Sequence, residues 1–258
     1  MQLVVIPLVV FAVVLGAGVL GATLRSRLPD HHVSSQTWPV VAISIGFIST
    51  MNAIVLGLLV ASAKGSYDAT AQGLQEAAAN VILLDRTLRE YGPQTQPIRT
   101  VLHNLVKANA SSMTLGDKPP TSTVATRHGA STEYGYEEIQ ESLRVLSPTN
   151  EAQHALQIRA VQIIDAIAQT HWLLVAQKPT AGISMPLLVT LVAWLAVIAG
   201  CTGLFAPRHG TMFVIALLCV CTISGTIFLV ISMYNPFNGP LKLSAAPLLQ
   251  ALRFLEQP

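Results

Sequence analysis

Charge is what this sequence has least of. Lys, Arg, Asp and Glu together make up 11% of 258 residues, where about 25% is ordinary for a soluble domain. The shortage is local. Between Lys64 and Lys178 the chain carries eleven acids and ten bases; outside that window it has only Asp30, Glu256, Arg25, Arg27, Arg208, Lys242 and Arg253. A uniformly soluble globular enzyme is excluded by that distribution. Cysteine is nearly absent as well. Cys201, Cys219 and Cys221 all lie in apolar sequence, so their odd number and position exclude a disulfide scaffold. Such cysteines pack as small hydrophobes, and Cys219 and Cys221, two apart, point to different sides of a helix rather than to one metal. Aromatics amount to 6%, and no basic cluster is interleaved with them. Nucleic acid is therefore not expected as a partner.

What is present is hydrophobic length. Four runs, Leu3–Leu24, Pro39–Ala63, Ile183–Ala206 and Met212–Met233, have no Lys, Arg, Asp, Glu or His in their interiors. About 20 apolar residues at 1.5 Å rise cross a hydrocarbon core of about 30 Å. In lipid the backbone must satisfy its own hydrogen bonds, so each run is expected to be an α-helix. The fold class is all-α: a polytopic membrane protein with four transmembrane helices and a helical soluble insert between the second and third. The first run has no basic residue before Arg25 and exceeds the roughly 7–15 apolar residues of a signal peptide, so it reads as a retained span. Its Gly16-Ala17-Gly18-Val19-Leu20-Gly21 is a literal dinucleotide fingerprint. That motif needs a second strand ending in an acid about 20 residues on, and the sequence after Arg25 offers none. Close helix packing is the expected role of these glycines.

The chain divides into residues 1–63 (two spans), 64–180 (soluble helical insert), 181–234 (two spans) and 235–258 (a turn and an amphipathic helix). The second span is expected to run on past Lys64, because Leu74, Ala78, Val81, Leu84 and Leu88 recur at helical spacing. Gly92-Pro93 stops it. A helix over 97–110 follows, with Ile98, Leu102, Leu105 and Val106 on one side. Ser, Thr, Gly and Pro then dominate 111–135, which reads as a flexible loop. Ile139, Leu143 and Leu146 mark the next helix, and Ser147-Pro148 ends it. Asn150 with Gln153 three residues on gives a capped start to a helix reaching Gln177, with Leu156, Val161, Ile164, Ala168 and Trp172 as core positions. Pro207-Arg208-His209-Gly210 turns the third span into the fourth. The last helix, 244–256, places Leu248, Leu252 and Leu255 on one face, for the membrane surface or the bundle.

No intramembrane carboxylate, Lys or His exists to serve a proton relay. The second span carries Ser44, Ser49, Thr50 and Asn52, and Ser49, Ala53, Gly57 and Ala61 repeat every fourth residue. Such a small-residue stripe is a close-packing face, either a seam within one subunit or a surface around a symmetry axis lining a pore. Ser49, Asn52, Ala53, Gly57 and Ala61 are thus the pore or packing candidates, with Asn52 the most polar group at mid-depth. His31-His32 beside Asp30 lacks the spaced ligands of a metal site, and no Gly-x-Ser-x-Gly elbow is present. Asp85, Arg86 and Arg89 read as a solvated or salt-bridged face. No enzymatic role, cofactor or metal is expected.

Four segments in order, Val55–Lys64, Leu83–Pro93 (Leu-Leu-Asp-Arg-Thr-Leu-Arg-Glu-Tyr-Gly-Pro), Gly203–Arg208 and Pro236-Phe237-Asn238-Gly239, resemble the bacterial bestrophin-like domain family, over nearly the whole chain. The resemblance implies kinship with bestrophins, which are oligomeric anion channels of four spans whose second span lines the pore. Its implied partners are the lipid bilayer of the bacterial inner membrane, further copies of the chain and small ions. By the basic-residue rule, Arg25 and Arg27 put the short turns in the cytoplasm and the termini and insert in the periplasm.

Overall fold

The structure is a computed structural model that describes residues 2–25, 27, 38–115, 132–180, 185–205, 210–237 and 239–256. Eight α-helices make up the described chain: α1 (Gln2–Leu24), α2 (Trp38–Tyr91), α3 (Gln96–Leu115), α4 (Thr132–Val145), α5 (Glu151–Thr180), α6 (Met185–Phe205), α7 (Gly210–Tyr234) and α8 (Ala246–Leu255). Four of them, α1, α2, α6 and α7, are long and apolar enough to cross a membrane. The chain separates into two compact units, one of residues 1–67 and 182–235, the other of 68–181 and 236–258. The division falls inside α2. At 54 residues this helix is about 80 Å long, far beyond a bilayer core of about 30 Å.

In the membrane unit, α1 packs on α6 and α7. Val10, Val14, Leu188, Leu191, Leu195, Val220, Ile227 and Ile231 form the buried seam, and Ser224 Oγ donates to the Pro7 carbonyl at 2.8 Å. Trp38 at the start of α2 meets Phe205 at the end of α6, with ring centroids 5.2 Å apart. Apolar side chains also point outward in quantity; Ile43 is 75% exposed and Leu20 68%, as a lipid-facing surface requires. His31-His32, the turn residues 206–209 and Asn238 lie outside the described residues.

The second unit is a helical bundle around Leu84, Leu88, Leu102, Ile139, Leu143 and Ile164, all within 1% of full burial. Gly92 ends α2 with φ +127°, a conformation that costs glycine least. Pro93 starts a single 3-10 turn. The Thr95 hydroxyl is placed to donate to Leu88 O (2.6 Å) or Gly92 O (2.8 Å), closing the end of α2. Asn150 caps α5: its Oδ1 accepts from Gln153 N at 2.8 Å, and Gln153 Oε1 accepts from Thr149 N at 2.8 Å. Gln153 Nε2 reaches across to Tyr91 O at 3.1 Å. Asn109 Nδ2 donates to the Tyr136 hydroxyl at 3.4 Å. Burial pushes that phenol up to about 12, against the opposing pull of Asn109, so Tyr136 stays neutral.

Several sequence expectations need correction. Helix α3 continues to Leu115 and α4 begins at Thr132, so both ends of the expected loop at 111–135 are helical; residues 116–131 lie outside the described residues. Helix α5 runs past Gln177 to Thr180. Trp172, expected in the core, is 47% exposed, whereas Ala160, Ile163 and Ile167 are buried. Of the two expected places for the amphipathic α8, the membrane surface and the bundle, the second holds: Leu248, Ala251 and Leu255 lie in the bundle core.

Tyr91 is 3% exposed, and its hydroxyl has no hydrogen-bond partner among the described residues. A buried unsatisfied group costs about 1–3 kcal/mol. Tyr91→Phe is therefore expected to stabilise the unit by about 1 kcal/mol, read as a higher thermal midpoint. A lower midpoint would show that the hydroxyl is bonded in solution.

Candidate functional site

The five candidates on α2 fall on two faces. Asn52, Leu59 and Ala63, at i, i+7 and i+11, are buried in the membrane unit. Ala53, Gly57 and Ala61 are exposed and Ser49 is half-buried. A Cβ added at Gly57 would meet nothing within 4 Å, so at this point the stripe has no close-packing partner among the described residues. Next to it lie Phe47, Ile54 and Leu58, each at least 60% exposed. Ser44 and Thr50 return their hydroxyls to Val40 O and Gly46 O at 3.0 and 2.9 Å, which removes most of their polarity from that face.

Asn52 is turned the other way. It is 6% exposed, and its Oδ1 has no hydrogen-bond partner among the described residues. Ser232 on α7 is fully buried with its Oγ likewise unpartnered. Close by in sequence, the Tyr234 hydroxyl donates to Ser62 Oγ at 3.2 Å, tying α7 to α2.

The glycines of the N-terminal fingerprint pack against a second helix. A Cβ on Gly21 would overlap the carbonyl oxygen of Gly200, and one on Gly203 would overlap that of Gly18. The contacts interleave, Gly18 meeting Ala199 and Gly203 while Gly200 meets Ala17 and Gly21, so the small residues of the two helices fit between one another. The sequence marks one half of this seam; Gly200-x-x-Gly203 is its unread partner.

In the second unit Asp85, 4% exposed, is held by two arginines. Arg89 Nε lies 2.8 Å from its Oδ2 and Arg99 Nε 2.7 Å from its Oδ1. Arg89 Nη2 also donates to Leu255 O at 3.1 Å, and Arg99 Nη1 donates to Gln96 Oε1 at 3.0 Å. One buried carboxylate thus fastens α2, α3 and the end of α8. Of the two expectations for this face, solvated or salt-bridged, the second holds at Asp85, where the bridges form an interior ion network. His103 on α3 lies 3.5 Å from Glu256, which adds a second tie to the same end of α8. Among the described residues no group of three or more His, Cys, Asp or Glu could hold a metal.

Comparison with known proteins fits this architecture. Two mutant crystal structures of a bacterial bestrophin homolog from Klebsiella pneumoniae superpose with TM-scores of 0.61 and 0.60. Each is 13% identical and covers 96% of this chain and 97% of its own, a likeness of fold. No curated protein sequence matches the chain. The profile of the Bestrophin-like domain matches residues 11–248, from the middle of the first span through the other three, the helical insert and the start of α8; this multi-pass membrane protein therefore belongs to the bestrophin-like domain family.

Proposed function

We propose that the protein is an oligomeric channel of the bacterial inner membrane that conducts small ions passively, with α2 nearest the symmetry axis. The observation that carries the proposal is the open face of α2: Ala53, Gly57 and Ala61 are uncovered among the described residues, in the span that lines the pore in bestrophins. A face of small side chains lets copies approach closely around an axis. Apolar neighbours such as Phe47, Ile54 and Leu58 can form a constriction at which an ion sheds part of its hydration. Ser49 would contribute a hydroxyl to that path, while Asn52 serves the interior of each subunit. No bond is made or broken, so the role is not enzymatic and needs no cofactor.

Purified protein in liposomes should pass ions down a gradient, and its mass in detergent should be that of several copies. Gly57→Leu is expected to cut the flux roughly tenfold, equivalent to about 1.4 kcal/mol of added barrier. It should leave the thermal midpoint of the single chain near wild type, because Gly57 has open space around it. Absence of flux under every ion gradient would sink this reading. It would favour the second one, a non-conducting sensor or assembly module acting through the helical insert, which has its own core and ion network.

A further inference from the structure

The second unit carries a surface groove of about 510 Å³ between α2 and α5, lined by Leu83, Arg86, Thr87, Arg89, Glu90 and Arg159. That volume is within the range of small-molecule sites. Three arginines face one carboxylate there. Arg89 is already engaged with Asp85 and Leu255, and Asp85 is itself shared with Arg99, so it does not neutralise the groove. Arg86 and Arg159 are exposed and have no carboxylate partner among the described residues. The Thr87 hydroxyl is spent on Leu83 O at 2.8 Å. The groove thus presents two guanidinium forks without counter-ions, beside a third that its bonds hold in place. Guanidinium forks match the oxygens of phosphate and carboxylate in pairs.

We infer that this groove binds a phosphate-class oxyanion between Arg86 and Arg159, with Arg89 adding fixed positive potential. Glu90 refines the chemistry. As the carboxylate on the lining it repels a bare dianion, but it accepts a hydrogen bond from an oxyanion that keeps a proton. Inorganic phosphate keeps a proton on oxygen at neutral pH and meets that demand; a phosphate monoester, with a second pKa of about 6, meets it in its singly ionised fraction, and sulfate does not.

The test is calorimetric titration of inorganic phosphate and of sulfate into the full-length protein in phosphate-free detergent buffer. Phosphate should bind, and more tightly than sulfate. Arg86→Gln and Arg159→Gln should each weaken phosphate binding roughly tenfold or more, with circular dichroism and oligomeric mass unchanged. Glu90→Gln should narrow the gap between phosphate and sulfate. Repeating the titration in nanodiscs with and without phosphatidic acid separates the two sources of the anion: competition assigns a lipid headgroup, and none assigns a free phosphate. No heat from phosphate, equal binding of sulfate, or wild-type affinity in Arg159→Gln would overturn the inference.

Discussion

Replacing Asp85 with Ala is expected to destabilise the helical insert by about 2–4 kcal/mol and lower its thermal midpoint by roughly 10 °C. Removing one partner from a buried ion pair costs about 3–5 kcal/mol because the other charge is left uncompensated. Here the two stranded groups keep some access to water, Arg89 being 29% and Arg99 20% exposed in their side chains, so the loss is expected around and below the lower end of that range. The damage should also travel. Arg89 is held by Asp85 while it donates to Leu255 O, so releasing the arginine loosens α8. Amide exchange in Ala246–Leu255 should accelerate in the variant ahead of exchange in α3. Asp85→Asn, which keeps the shape and loses the charge, should fall between wild type and Ala. Arg99→Gln should cost less than Asp85→Ala, since Asp85 then retains Arg89. An Asp85→Ala protein melting within about 1 °C of wild type would mean the network contributes nothing net, as exposed pairs often do.

The same residue shows how far the sequence could be read. Asp85 and Arg89 stand four apart on a helix whose apolar stripe is plain from Leu74 to Leu88, so their pairing follows from helical geometry. Arg99 is fourteen residues away, beyond Gly92-Pro93, and only the path of that turn brings it to the other oxygen of Asp85. The four spans were legible for a simple reason. Lipid forbids charge and unsatisfied backbone, and both rules act on sequence directly. Helix ends were legible where chemistry stops them, at Gly92 and at Asn150, and misplaced where composition alone spoke, at Ser111–Leu115. Trp172 was placed in the core by spacing and size, yet a 30-residue helix keeps a three-and-four pattern in register for only a few turns before its buried face drifts. On α2 the small-residue stripe and Asn52 were visible as features. Which of them the chain covers depends on α6 and α7, and that is a tertiary fact.

Substituting Ala for Gly203 or for Gly21 is expected to cost about 3 kcal/mol or more, at or beyond the upper end for overpacking a core. At most buried sites an added methyl displaces the end of a side chain. Here it meets backbone. A Cβ on Gly203 overlaps the Gly18 carbonyl oxygen and lies 3.3 Å from Ala22 N; one on Gly21 overlaps the Gly200 carbonyl and lies 3.1 Å from Leu204 N. Neither helix can yield locally, so α1 and α6 must separate along the whole seam, which also holds Val10, Val14, Leu191 and Leu195. The controls lie in α1 and α7. Gly16 and Gly225 have nothing within 4 Å of an added Cβ, and a mid-helix Gly→Ala there should gain about 0.5–1 kcal/mol. Thermal unfolding in detergent should therefore order the variants Gly16→Ala at or above wild type, with Gly203→Ala and Gly21→Ala well below it. A double Gly21→Ala, Gly203→Ala variant should fall short of the summed loss, because once the helices have separated for one methyl the second is partly accommodated. Gly203→Ala melting with Gly16→Ala would refute the close seam. It would also remove the role assigned to the glycines of an N-terminal motif that imitates a nucleotide site and, in this fold, brings two membrane helices together.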